Sequence, residues 1–514
     1  MARYKPVRYD KTHTVSVAFS EQIFPGSFEH TLNQIVDHEL DLSIFDSHYH
    51  NDTRGAPAWH PAVMLKIIFY AYSRGITSSR EIERCCRENI IFMALSANSQ
   101  PHFTTIADFI SSMGEEITPL FLEVLLICDE MHLIGKEMFA IDGCKMPANA
   151  SREWSGTTQE LAKKAQKMER ALRCMIARHQ YEDVRGKPAL AGRKEAQRQQ
   201  TLQQKIDKIK RWLDDHDDKP GKGKKPRKSN VTDNDSAKMK TSHGTLQGYD
   251  GVATVDAKHQ VVVHACAYGE PQEHDLLLPM VVGTRENFQA IDRHADVFRR
   301  AALTADSGFH TDANVDALDQ LGIDAYLADK LFRKRDARFA QAERYRARHK
   351  AEQRKSRHSV YRPSDFQYDP LRRTCICPAG KALYQSGNNC HIKGREYVKF
   401  TGPKKYCVPC EQRQQCLRHP DRTPVRAVVF AKPVQAERAL SCPERMKQKI
   451  DSEWGRQQYG RRLATVEPVF GNITHNIGLG RFSLRGWVKV NVQWKLYCIV
   501  HNLFKIHRYG IGMH

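Results

Sequence analysis

Apolar residues recur at spacings of three and four through Pro61 to Tyr72 and again through Phe121 to Leu133, so the stretch from about 16 to 132 reads as a run of helices. Inside it, Ser78-Ser79-Arg80-Glu81 has the spacing of a capping box, and Thr104-Thr105, after the turn-like Ser99-Gln100-Pro101, opens Ile106 to Met113. Short helices joined by polar turns suit a helix-turn-helix DNA-binding module and a plain packing domain equally well. The period then changes. Met138 to Ile141 is a short apolar run closed by Asp142-Gly143, which predicts a buried strand with a carboxylate at its C-terminal end. Thr158 to Asp217 is charged and helix-favouring, and Lys219 to Lys228, rich in Lys, Pro and Gly, reads as a disordered basic linker. Tyr249 to Val255 and Gln260 to Tyr268 form a hairpin pattern around Asp256-Ala257-Lys258-His259. A helix at Asp275 to Val282, a strand at Ala301 to Ala305 ending in Asp306-Ser307-Gly308, a helix at Ala313 to Leu321 and a strand at Ile323 to Ala328 follow. This alternation implies a mixed sheet covered by helices.

Length and charge sharpen the picture. A chain of 514 residues with 40% hydrophobic content has material for two or three globular pieces. Its 80 Lys and Arg against 59 Asp and Glu leave a net charge of +21, which points to a polyanionic partner, nucleic acid before an acidic membrane surface. The longest apolar runs, such as Leu276 to Val282, fall far short of the ~20 residues that span a bilayer. Met1 to Lys11 is mostly polar, with no basic-then-apolar leader, so a soluble, cytoplasmic protein is expected. Fourteen cysteines in such a compartment suggest thiols, some of them metal ligands, rather than a disulfide framework.

Asp142 and Asp306 both end short apolar runs, so both carboxylates are expected at one sheet edge, where they repel unless a divalent cation lies between them. Oxygen ligands with room for water suit Mg²⁺ or Mn²⁺, and a pair of such ions serves phosphodiester displacement; the bland reading of Asp-Gly is a turn. A third carboxylate, Glu467, lies beside the apolar face made by Val466, Val469, Phe470 and Ile473, with Pro468 either in a first turn capped by Thr465 or kinking a longer helix. Lys330 to Arg357 carries twelve basic residues against three acidic ones, a net +9 on one helical segment fit to contact phosphates, unless it is a solvated face. The cluster Cys375, Cys377, Cys390, Cys407, Cys410 and Cys416 has the spacing of a closed Zn²⁺ site. Cys377, Cys407, Cys410 and Cys416 are the preferred ligands, with Cys375 as an alternative to Cys377 and Cys390 spare. Cys85, Cys86, Cys128, Cys144, Cys174, Cys266, Cys442 and Cys498 read as packing residues. His274-Asp275 reads as a helix start in preference to a proton-shuttling histidine at the site, and Asp233 and Asp235 rank below the triad as metal carboxylates.

Phe139-Ala140-Ile141-Asp142-Gly143, the Gly248-Tyr249 hairpin, Thr304-Ala305-Asp306-Ser307-Gly308 and the arginine-rich run into Val466-Glu467-Pro468-Val469-Phe470-Gly471 together resemble insertion-sequence transposases of the DDE superfamily, most closely the 1182-type group. Trp59 to Leu65 and Thr77 to Ile82 are similar to that group's N-terminal domain, so the resemblance covers nearly the whole chain. It implies a multidomain α/β protein with an RNase H-like mixed-sheet core, and Asp142, Asp306 and Glu467 as its metal-binding triad. It also implies DNA cleavage at element ends and joining to a target, with two Mg²⁺ or Mn²⁺ ions. Related transposases carry a Tyr, Arg, Glu, Lys signature. Tyr459 and Arg462 match it approximately, with four residues between Arg462 and Glu467, and Thr474 stands where the lysine is expected.

The triad members are 164 and 161 residues apart (142 to 306, 306 to 467), so each gap must hold further structure. The expected layout is an N-terminal all-α DNA-binding domain at 1–133, and core segments at 134–157, 241–329 and 441–514. Between them come a charged helical insertion with its linker at 158–240 and a basic, zinc-ribbon-like insertion at 330–440. Double-stranded DNA is the expected partner, contacted by Arg344, Arg348, Arg354 and Arg462, with a homodimer on paired ends at the nucleoid and no membrane. The rival readings are an RNase H-like nuclease without strand transfer and a non-catalytic DNA-binding protein derived from a transposase.

Overall fold

The computed structural model describes residues 16–49, 57–183, 189–221, 226–241, 244–291, 296–339, 360–392, 395–432 and 440–510. The chain divides into two compact units, Met1–Phe332 with Cys442–His514, and Arg333–Ser441.

The first unit opens with the expected helices: α1 (Phe28–Gln34), α2 (Pro61–Ser73), α3 (Ser79–Glu88), α4 (Ile90–Leu95), α5 (Phe103–Ser112) and α6 (Ile117–Glu130). The α2 helix begins with Pro61, whose missing N–H costs nothing at that position, and His60 accepts from the Ala62 N–H. Nearly all of it is buried, and its one cation, Lys66, is met by Asp37 at 3.0 Å and Asn33 at 3.0 Å. Ser78 does stand at the start of α3, but the capping-box hydrogen bond is not made; Glu81 pairs with Arg84 at 2.9 Å instead.

The sheet is mixed, as expected. Its strands are β1 (Met138–Pro147), β4 (Ala237–Thr241), β5 (Gly244–Asp256), β6 (Val262–Tyr268), β7 (Ala302–Ala305) and β8 (Ala325–Leu327), in the order β4-β5-β1-β7-β8 with β6 also on β5. A separate two-stranded pair joins β2 (Ser155–Gly156) and β3 (Ser229–Asn230). The β1 strand runs antiparallel to β5 and parallel to β7, in register Ile141↔Ala305. It does not stop at Ile141. Gly143 and Lys145 break the apolar pattern, yet pairing continues along β5 to Gly248, so Asp142-Gly143 is mid-strand and not a turn.

Helices α7 (Thr158–Asp183) and α8 (Ala189–Asp215) carry their own small core of Leu161, Ala165, Ile209 and Trp212. Beyond α8, Lys219 pairs with Arg227 across an isolated bridge, and Arg227 and Lys228 hold Glu270 and Glu160. The described flanks of the basic stretch are thus tied down, and 222–225 lie outside the described residues. Helix α10 (Asp312–Gln320) follows as read, whereas α9 (Leu277–Ile291) runs well past the Val282 expected from the sequence, and the unit closes with α11 (Cys442–Asp451), α12 (Glu453–Gly471) and α13 (Trp487–Tyr509). The α13 helix is the central support: Trp494 donates to the Val252 carbonyl at 3.0 Å, and Tyr497 stacks on Tyr72 of α2 at 4.6 Å. The early helices and the sheet therefore share one buried core. Asp233 and Asp235 are not free carboxylates in a linker. Asp233 accepts from the Tyr249 hydroxyl at 2.7 Å, and Asp235 from the Trp487 N–H at 2.8 Å at the start of α13.

The second unit contains a five-stranded antiparallel sheet, β9 (Gln367–Asp369), β10 (Thr374–Ile376), β11 (Ala382–Ile392), β12 (Arg395–Thr401) and β13 (Ala427–Ala431), each strand paired with the next. Phe366, Leu383, Val398, Phe400 and Val428 form its core. Of the Lys330 to Arg357 segment, the described part holds only the short turns Phe332–Arg335 and Ala337–Phe339. Arg344, Arg348 and Arg354 lie outside the described residues.

His501 of α13 is buried, accepts from Asn472 Nδ2 at 3.0 Å and donates from Nε2 to the Gln260 carbonyl at 2.9 Å. Burial first, and then the Lys505 charge, pulls its pKa from 6.5 down to about 4. The unfolded chain therefore binds a proton in that window that the folded chain refuses, so this residue's contribution is present above 6.5 and is lost as the pH falls towards 4. Urea unfolding midpoints measured between pH 7 and 4 are expected to fall less in His501→Asn than in the wild type.

Candidate active site

The parallel pairing Ile141↔Ala305 puts Asp142 and Asp306 one step further along neighbouring strands, roughly 5 Å apart at the backbone. There β7 ends while β1 continues, so the two carboxylates share an opening in the sheet. Asp142 Oδ1 accepts from the Gly143 N–H at 2.9 Å and Oδ2 accepts from Arg462 Nη1. The other guanidinium nitrogen, Nη2, is 3.3 Å from Asp306 Oδ1, and the Tyr459 hydroxyl donates to the same oxygen at 3.4 Å. One buried arginine thus bridges both aspartates. Burial, opposed by Arg462, pushes the Asp142 carboxyl up to about 6, with smaller upward pushes from Asp306 and Glu273.

Arg462 and Tyr459 reach the site from α12, whose inward face runs Tyr459, Arg462, Val466, Val469. Pro468 lies inside this helix; Thr465 is no cap, since its hydroxyl bonds back to the Arg461 carbonyl at 2.9 Å. The Ala464 carbonyl that Pro468 cannot serve accepts from Gln260 Nε2 at 3.0 Å, which lets the helix continue. Glu467 stands five positions, about 140° round the helix, from Arg462. It is exposed, and among the described residues no hydrogen bond or ion pair joins it to Asp142 or Asp306. Thr474 bonds to the Phe470 carbonyl at 2.7 Å. Arg462, read from sequence as a DNA contact, has its guanidinium turned inward.

Three charged residues that were not singled out in the sequence stand close by. Lys145 on β1 pairs with Glu273 at 2.5 Å. Opposite Lys145, Asp250 on β5 is fully buried, and neither of its oxygens has a hydrogen-bond partner among the described residues. Burial, and next the Glu273 charge, pushes its carboxyl up to about 7. The available signal was the pair of glycines after the two aspartates. Among the described residues no three His, Cys, Asp or Glu side chains are already arranged to hold a metal ion. The donors are nevertheless right for a hard divalent cation: carboxylates only, in excess of the local cations, one of them buried with both oxygens orphaned. Arg462 and Lys145 supply the positive charge meanwhile.

Two family models match the chain. One, described as a transposase DDE domain, spans residues 376–507 and so includes Cys377 to Cys416, Tyr459, Arg462 and Glu467; the other, a transposase domain (DUF772), spans 17–112. The chain is an insertion-sequence DDE transposase. Both families fit the 1182-type group. No curated protein matches this transposase. As a transposase it binds and acts on DNA, its family uses divalent metal ions, and none of its described helices is long and apolar enough to cross a membrane.

In the second unit, Cys377, Cys407, Cys410 and Cys416 line one cavity of about 40 Å³ beside Leu383, Gly402 and Tyr406. The Cys377 thiol accepts from the Lys381 N–H at 3.4 Å. Burial raises the Cys416 pKa, against the nearby Arg426 charge, and the other three thiols add to the rise. Cys375 instead points into the sheet core, and Cys390 lies by Gly387. Of the cysteines read as packing, Cys86, Cys128 and Cys498 are buried, but Cys174 is exposed.

Removing the bridging arginine leaves two carboxylates facing each other without compensation. Arg462→Met in chelator is expected to cost on the order of 2–3 kcal/mol, below the range for a fully buried pair because Asp306 is 38% exposed. Added Mn²⁺ should recover part of the loss, as read from thermal melting with and without the ion.

Proposed function

We propose that this transposase cuts DNA at the ends of its element and joins the freed ends to target DNA by phosphoryl transfer in an RNase H-like core. The observation that carries the reading is the meeting of Asp142 and Asp306 at the opening between β1 and β7, with Arg462 brought between them by α12. Asp142, Asp306 and Glu467 would hold two Mg²⁺ or Mn²⁺ ions. Bound there, such ions stabilise the attacking and leaving oxygens of a phosphodiester displacement. Arg462 keeps the two aspartates together and compensates their charge while no cation is present, and Tyr459 holds Asp306. Glu467 would need its side chain, or its part of α12, to turn towards the opening. In this reading water attacks the phosphodiester at the element end, and the freed 3′-hydroxyl then attacks the target.

The same proposal gives 1–133 to DNA binding, 134–157, 241–329 and 441–514 to the core, and 158–240 and 330–440 to insertions. Arg344, Arg348 and Arg354 would contact phosphates, and two copies would hold paired ends at the nucleoid. In the second unit, Cys377, Cys407, Cys410 and Cys416 would close on one structural Zn²⁺. Cys375 is less suited, since the sheet core already holds it.

Asp142→Asn, Asp306→Asn and Glu467→Gln should each slow metal-dependent cleavage by on the order of 10³-fold while leaving DNA binding intact. A variant that cuts at the wild-type rate removes its residue from the triad. Cleavage without joined product on paired ends would favour a nuclease. For the thiols, elemental analysis of chelator-washed protein should find about one Zn²⁺ per chain, lost in Cys407→Ser, with the 366–426 region then opened to protease. Zinc absent from an intact, protected region would refute that site.

A further inference from the structure

Each of the two central aspartates is followed by a glycine, and at each a second carboxylate fills the place of the missing side chain. At Gly143, next to Asp142, an added Cβ would lie 2.6 Å from Asp250 Oδ1. At Gly308, two residues after Asp306, it would lie 2.0 Å from Glu273 Oε2. Neither contact leaves room for a methyl group. Glu273 sits in the 3₁₀ turn Glu273–Asp275 just before α9. Alternation along β1 turns Lys145, its partner, to the sheet face opposite Asp142. Behind it Asp250 is buried with neither oxygen partnered among the described residues, an arrangement that favours a proton or a nearby cation.

We propose that Glu273 is a further ligand of the divalent-cation site, approaching Asp142 and Asp306 from the α9 face of the sheet, with Asp250 as the buried charge behind it. This rests on the reading of Asp142 and Asp306 as cation-holding residues. It supplies a carboxylate already in contact with the Asp306 turn, whereas Glu467 must be reoriented. Lys145 then acts as a competitor that occupies Glu273 until a cation displaces it. A purely structural ion pair would make Lys145 and Glu273 equivalent, and a cation site makes them opposed.

The test is Mn²⁺ binding to the full chain without DNA, read by electron paramagnetic resonance of the free ion, with each variant's fold checked by circular dichroism in chelator. Glu273→Gln is expected to weaken binding at least tenfold, and Lys145→Met, which frees the carboxylate, to tighten it. Should Glu273→Gln not fold, Gly308→Ala pushes the carboxylate aside and is expected to weaken binding likewise. Wild-type affinity in Glu273→Gln, beside weakened binding in Asp142→Asn and Asp306→Asn, overturns the proposal and leaves the underlying reading standing. Equal weakening in Glu273→Gln and Lys145→Met overturns it in favour of the ion pair. Unchanged binding in Asp142→Asn and Asp306→Asn overturns the reading beneath it as well.

Discussion

Like charges held together in a low-dielectric pocket must be compensated, and the mixed sheet of the first unit is arranged around that constraint. Four carboxylates gather where β7 stops and β1 goes on, and among the described residues two cations, Arg462 and Lys145, meet them directly. Paired parallel with β7 on one side and antiparallel with β5 on the other, β1 carries Asp142 beside Asp306 and Gly143 beside Asp250. The helices have a matching role, since α12 brings the guanidinium and the turn before α9 brings Glu273.

The compensation is uneven, and this separates a resting arrangement from a working one. Arg462 is buried, and its Nε has no partner among the described residues, so the guanidinium is committed to the aspartates through its two terminal nitrogens. A divalent ion concentrates twice the charge in a smaller radius than a guanidinium and accepts several oxygens at once. In the proposed function, a cation taking the place of the guanidinium would free Arg462 to meet a phosphate.

Much of this was legible in the sequence, because strands and helices with one apolar face announce themselves by period. The hairpin at β5 and β6, the strand before Asp306 and the helix after it were all read within a few residues. What was not legible depended on partners far away in the chain. Gly143 looked like a turn because nothing local shows that β5 continues to pair with it, and Asp250 and Glu273 carry no motif of their own. Pro468 looked like a helix start or a kink, but the Gln260 side chain, two hundred residues earlier, takes up the carbonyl it leaves. Asp233 and Asp235 read as linker carboxylates until Tyr249 and the start of α13 claimed them. The cysteine spacing picked out the four thiols around one cavity, yet only the fold separates Cys377 from Cys375.

The outer edge of the sheet has a consequence for how two copies can meet. From α13, Asn491 exchanges hydrogen bonds with the backbone of Ala267 at 2.7 and 3.0 Å, and Asn502 does the same with Val262 at 2.8 Å each way. Two amides thus stand in for the next strand along β6, occupying the peptide groups that an incoming chain would need. At Val262 and Ala267, therefore, β6 has no free backbone with which to extend the sheet into a second chain.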